Sequence, residues 1–166
     1  MTDTIYSGLF KIHIPKKTVE NILDKMKEKR DFTKTKEIPK EIYLIYCNCS
    51  DRSLEDSPCD GYISEIYPDV IFVDPESRKT TSNVIAHELI HILQNYKYVT
   101  FKDDFEDSYR ERWFEEMAFS LQDEIEKILK GKIKYEKVSD NHDEIEDFLI
   151  SIMKDDFPDF FFDDEE

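Results

Sequence analysis

Val70-Ile71-Phe72-Val73-Asp74-Pro75, followed by Thr80-Thr81-Ser82-Asn83-Val84-Ile85-Ala86-His87-Glu88-Leu89-Ile90-His91, is the stretch on which the reading of this chain turns. The first four residues are β-branched or aromatic and are closed by Asp-Pro, the signature of a short buried strand. From about Ser77 or Thr80 to Tyr96 the apolar residues Val84, Ile85, Leu89, Ile92 and Leu93 recur at helical spacing, and Ser, Thr and Asn crowd the first turn. On that helix His87 and His91 stand one turn apart and project the same way. With a rise of about 1.5 Å per residue the two side chains start roughly 6 Å apart, a gap that two metal–nitrogen bonds of about 2 Å can close. Glu88, beside the first histidine, can take a proton from a water held near such a metal.

The five-residue pattern arises by accident in roughly one chain of this composition in a hundred, so its setting must support it. A catalytic zinc site usually takes three protein ligands and keeps one position open. His13 and His142 are possible third ligands, but neither lies in a pattern that aims it. A better source is the helix that opens with the capping-box sequence Ser108-Tyr109-Arg110-Glu111 and stops at Gly131. Its apolar stripe is Phe114, Met117, Ala118, Leu121, Ile125 and Ile128. Each residue turns a helix by about 100°, so with Phe114 near mid-stripe Glu115 falls at the border and Glu116 on the far side. Glu115 is therefore the expected ligand. Ala118, one turn on, leaves room for the neighbouring helix.

His87-Glu88-x-x-His91 followed by Glu115-x-x-Ala118 resembles the gluzincin branch of the zincin metallopeptidases, and is similar to small intracellular members. These are the minigluzincins, the phage ImmA/IrrE group and the mitochondrial ATP-synthase-processing peptidase. The resemblance covers about residues 62–130. It implies one zinc per chain held by His87, His91 and Glu115, Glu88 as general base in peptide hydrolysis, and Val70 to Val73 as the edge that holds a peptide substrate. Thermolysin-like members supply a histidine beyond the ligand helix to steady the oxyanion, which would be His142 here. In Asp140-Asn141-His142-Asp143 the same residue also reads simply as a helix start. Tyr96, Tyr98 and Tyr109 are further candidates for that donor.

The rest of the chain sets bounds. At 166 residues it reads as one domain, residues 1–156, with an acidic and aromatic tail over 157–166 that contains Phe160-Phe161-Phe162. No 18-residue apolar run and no signal peptide are evident, which leads to the expectation of a cytoplasmic protein. Cys47, Cys49 and Cys59 are odd in number, which fits ordinary thiols in a reducing compartment better than a disulfide framework or a second zinc site. The net charge of -16, from 39 acidic against 23 basic residues, repels nucleic-acid phosphates and attracts basic peptides. Only three glycines are present, and no phosphate-binding loop. The acidic run Asp103 to Asp107 lacks calcium-loop spacing.

The expected order is strand (Leu9 to Ile14), helix (Lys16 to Lys29), strand (Ile42 to Cys47), strand or hairpin (Tyr62 to Val73), active-site helix, ligand helix and last helix (Asp143 to Lys154). That order closes as an α+β fold, a small twisted mixed sheet packed on helices. The leading functional expectation is a zinc metallopeptidase acting on a protein or peptide substrate. Its alternatives are a non-catalytic zinc or partner-binding module, and a peptidase-type regulator dedicated to one protein partner.

Overall fold

The computed structural model describes residues 4–34, 41–48, 61–64, 67–76, 80–94, 98–101 and 107–153. Five strands form a mixed sheet in the order β4-β5-β3-β1-β7: β1 (Tyr6–His13), β3 (Glu41–Cys47), β4 (Gly61–Ser64), β5 (Tyr67–Val73) and β7 (Lys134–Ser139). β3 and β5 run parallel, and the other neighbours are antiparallel. A separate two-stranded sheet joins β2 (Phe32–Lys34) to β6 (Val99–Phe101). The helices are α1 (Lys16–Lys29), α2 (Thr81–Gln94), α3 (Asp107–Leu129) and α4 (His142–Ile152). The expected α+β class with a small mixed sheet is what forms, and among the described residues no helix is long and apolar enough to cross a membrane.

Residues 42–47 of β3 and 70–73 of β5 are apolar or aromatic throughout because helices cover both faces of the sheet. On β5, Ile71 and Val73 join the larger core beneath α1, α2 and α3, while Val70 and Phe72 point the other way. There they meet Leu9, Ile45, Cys47 and the α4 residues Ile145 and Leu149. Cys47 is buried in this second core; Cys49 and Cys59, residues 103–106 of the acidic run and the tail 157–166 lie outside the described residues, while Asp107 opens α3.

Helix ends follow local chemistry. Gly131, at φ +75, takes the left-handed conformation that ends α3, and the Lys132 N–H donates to the Leu129 carbonyl. Asn141 caps α4 by accepting from the Glu144 N–H. The expected capping box at Ser108 is displaced, since α3 already begins at Asp107 and Ser108 lies within its first turn.

One expectation is overturned. Val70 to Val73 is not an edge, because β5 is paired to β3 on one side and to β4 on the other. The edge on the side of α2 is β4. The expected strand or hairpin over Tyr62 to Val73 forms as the hairpin, so Gly61 to Ser64 folds back on β5 and takes the outer place assigned to Val70 to Val73. β7 is also absent from the sequence reading: Lys134-Tyr135-Glu136-Lys137-Val138 is exposed throughout and owes its strand form to pairing with β1.

Gly61 fixes how closely β4 approaches α2. A Cβ there would lie 2.5 Å from Val84 Cγ1 and 2.8 Å from the Phe72 carbonyl oxygen. Gly61→Ala is expected to lower stability by about 1–3 kcal/mol through overpacking, read as a reduced urea midpoint with unchanged slope. Adding Val84→Ala should recover only part of the loss, since the backbone contact remains. Wild-type stability in Gly61→Ala would show that β4 is not held this tightly.

Candidate metal centre

α2 and α3 run antiparallel and are joined by polar contacts at three levels. At the start of α2, Ser82 donates to Glu126 Oε2 at 2.7 Å, and Asn83 donates to Glu126 Oε1 at 2.9 Å and to Asp123 at 3.1 Å. The hydrogen bonds from Ser82 and Asn83 hold the Glu126 carboxyl below its ordinary range. In the middle, His87 Nδ1 meets Gln122 Oε1 at 2.7 Å. At the end of α2, Gln94 reaches across to the Phe114 carbonyl at 3.0 Å. Between these ties Ala118 is fully buried, the close approach its small side chain permits. Beyond the site, the Phe101 ring of β6 packs edge-on against Trp113, so the small sheet braces the turn of α3 that carries Glu115.

The ties bring three donor atoms together. His87 Nε2 and His91 Nε2 are 3.2 Å apart, and Glu115 Oε1 lies 3.3 Å from His87 Nε2 and in direct contact with His91 Nε2. Each ring turns its Nδ1 to a glutamine oxygen, His87 to Gln122 and His91 to Gln94 at 2.8 Å, so in the neutral rings Nδ1 carries the proton and each Nε2 offers a lone pair. Three lone pairs aimed at one point repel unless a cation or a proton lies among them. Donors bound at about 2.0–2.1 Å around a tetrahedral ion are roughly 3.3 Å apart. The donor types, and the separations of His87 Nε2 from His91 Nε2 and from Glu115 Oε1, match what zinc takes, whereas the His91–Glu115 contact is closer than two donors on one tetrahedral ion would stand. Glu116 does not take part: it points outward and faces Arg112 at 3.5 Å.

Glu88 is 8% exposed and lines, with both histidines and Glu115, a cleft of about 400 Å³. Tyr62 and Ile63 of β4 form one wall, and Val84 and Phe119 contribute apolar surface. The Phe119 ring lies 4.7 Å from that of His87, and the residue is 56% exposed.

The other nominated residues are elsewhere. His142 opens α4, stacks on Tyr6 and accepts a hydrogen bond from the Tyr6 N–H at its Nδ1 (3.0 Å). It is thus part of a helix start, and it does not line the cleft. It does form a second group with Asp143 and Glu146. There, however, Nδ1 is an acceptor, so the neutral ring turns an N–H, not a lone pair, toward Glu146. His13 is at the end of β1, 3.5 Å from Glu136. Tyr98 is 2% exposed and donates its hydroxyl to Asp69 at 2.6 Å, with burial and Asp69 both raising its pKa, so it is committed to the core. Tyr96 and the Tyr109 side chain lie outside the described residues.

Gln94 and Gln122 were not anticipated. The signals are slight: Gln94 follows His91 by three residues and Gln122 follows Glu115 by two helical turns, spacings that share a face. Many helical glutamines share such spacings without orienting anything.

Burial holds the His87 pKa below its ordinary value, with His91 adding to the effect against the opposing Gln122 and Glu115 contacts. The unfolded chain then binds the proton that the folded one refuses. This contribution to stability is complete above the ordinary histidine pKa of about 6.5 and is lost as pH falls through the lower folded value. Urea midpoints of chelator-treated protein are expected to fall between pH 7.5 and 5.5, at no more than about 1.4 kcal/mol per pH unit for this one group. His87→Gln should flatten that slope; an unchanged slope would assign it to other groups.

Comparison of the chain with protein-family models, curated proteins and solved structures returns no match.

Proposed function

We propose that this protein is a zinc-dependent metallopeptidase of the gluzincin type, with a zincin-like arrangement of sheet, active-site helix and ligand helix. His87, His91 and Glu115 hold the metal and Glu88 is the general base. The single observation that carries this reading is the convergence of two Nε2 lone pairs and one carboxylate oxygen, with Nε2···Nε2 at 3.2 Å and Nε2···Oε1 at 3.3 Å, beside a fourth residue able to move a proton. A bound zinc ion supplies Lewis acidity toward a carbonyl and lowers the pKa of water within its reach.

This chain's own residues supply the remainder. Glu88, nearly buried on the cleft wall, takes the proton of the attacking water and returns it to the departing amine. β4 is the outermost described strand of the sheet on the side of the cleft, and its Tyr62 and Ile63 line the space a substrate would enter. Acidic character across the protein favours basic substrate segments over nucleic acid.

The test pairs metal analysis with digestion. Protein purified at neutral pH without chelator is expected to contain or take up one zinc per chain, and to cleave an unstructured peptide library in a chelator-sensitive way. A structural metal would instead cost cooperative folding when removed. A chain that neither holds zinc nor accepts it when offered would end this reading.

A further inference from the structure

We propose that Gln94 is a positioning residue that sets the tautomer and ring plane of His91 and, through the same amide, fastens the ligand helix beside Glu115. The inference rests on the metal-site reading for its purpose, although its first observable does not need the metal.

Gln94 closes α2 and is 1% exposed. A buried carboxamide is costly unless both ends are bonded, and here both are. Its Nε2 donates to the Phe114 carbonyl at 3.0 Å, which leaves Oε1 as the only end able to face His91. An oxygen at 2.8 Å from Nδ1 requires that Nδ1 carry the proton, so in the neutral ring Nε2 is the bare nitrogen, directed at His87 and Glu115. Phe114 immediately precedes Glu115. One side chain thus holds both partners of the closest contact in the site, the imidazole from one helix and the carboxylate from the other. Only an amide can do this: a carboxylate would set an oxygen against the Phe114 carbonyl, and an aliphatic side chain would leave that carbonyl and the imidazole N–H without Gln94's bonds. Gln122 performs the orienting half of the task for His87.

The sharpest consequence is that the histidines differ in tautomer before any metal arrives. His87 and His91 are Nδ1–H, whereas His142, whose Nδ1 accepts from the Tyr6 N–H, is Nε2–H. Nitrogen-15 NMR of the imidazoles in the chelator-treated full chain, at a pH where the rings are neutral, reads this directly. The expected result is an unprotonated Nε2 on His91 and a protonated one on His142; His91 with its proton on Nε2 would overturn the proposal without any variant being needed. Gln94→Met is then expected to release His91 into a mixture of tautomers and to weaken zinc binding about 10–100-fold in a chelator competition, the usual scale for residues that orient a metal ligand. Gln94→Glu keeps an acceptor for Nδ1–H but sets an oxygen against the Phe114 carbonyl, so it should restore the tautomer while leaving zinc affinity below wild type. Wild-type affinity in Gln94→Met would sink the positioning role while leaving the metallopeptidase reading intact. A wild-type chain that does not bind zinc but holds His91 as Nδ1–H would do the reverse.

Discussion

Glu88→Gln is expected to keep one zinc per chain and lose peptide hydrolysis by about 10²–10⁴-fold, the range that a positioned general base contributes. Glu88 lies next to His87 in sequence but is not one of the three converging donors, so the amide replacement changes neither ligand number nor ligand charge. Gln is close to isosteric at a position only 8% exposed, so packing should hold. What changes is basicity: an amide oxygen cannot take the proton of a water at neutral pH. Metal analysis and library digestion on the same preparations read both halves. Cleavage that persists in Glu88→Gln at the wild-type rate would remove the assigned base, and loss of zinc would move Glu88 into the ligand set.

Glu115→Ala and Glu116→Ala should behave in opposite ways although they alter adjacent residues. Among the described residues, Glu115 alone brings a carboxylate oxygen to the two imidazoles. Removing it leaves two neutral nitrogens to hold a dication, and zinc affinity should fall by more than the roughly 10–100-fold typical of an outer-shell change. Glu116 is exposed and paired with Arg112 at 3.5 Å on the same helix, an interaction worth about 0.3–0.5 kcal/mol. Its removal should leave zinc affinity within about twofold of wild type and stability nearly unchanged. Competition against a chromophoric chelator separates the pair. Equal losses, or a loss confined to Glu116→Ala, would mean that α3 is rotated by about 100° from the orientation described.

Much of this site is legible in the chain because helical geometry is local. His87, Glu88 and His91 are set by their spacing alone, and Glu115 follows from the 100° rule once Phe114 is taken as core. α1 and α2 emerge close to their expected limits for the same reason, since hydrophobic period and cap chemistry act within a few residues. His142 shows the limit of carrying a role by analogy: its place after the ligand helix suggests a cleft residue, whereas Asn141 and the Tyr6 N–H make it the opening turn of α4. Tyr98 fails likewise, because nothing nearby in sequence announces that its hydroxyl meets Asp69, 29 positions earlier.

Taken alone, the chain determined its helices, the strands β1, β3 and β5, the two histidines on one face and the placing of Glu115 nearer than Glu116 to the apolar stripe, all of which depend on contacts or periodicities spanning a turn or two; the short strands β2 and β6 were not legible in it. The tertiary structure decided that β4 and not Val70 to Val73 is outermost among the described strands, that the mostly exposed residues 134–139 become a strand, and that Gln94 and Gln122 meet the Nδ1 atoms of both imidazoles. Those features depend on which distant segments pair or pack, and a strand edge or an oriented lone pair is a property of the neighbour as much as of the residue itself.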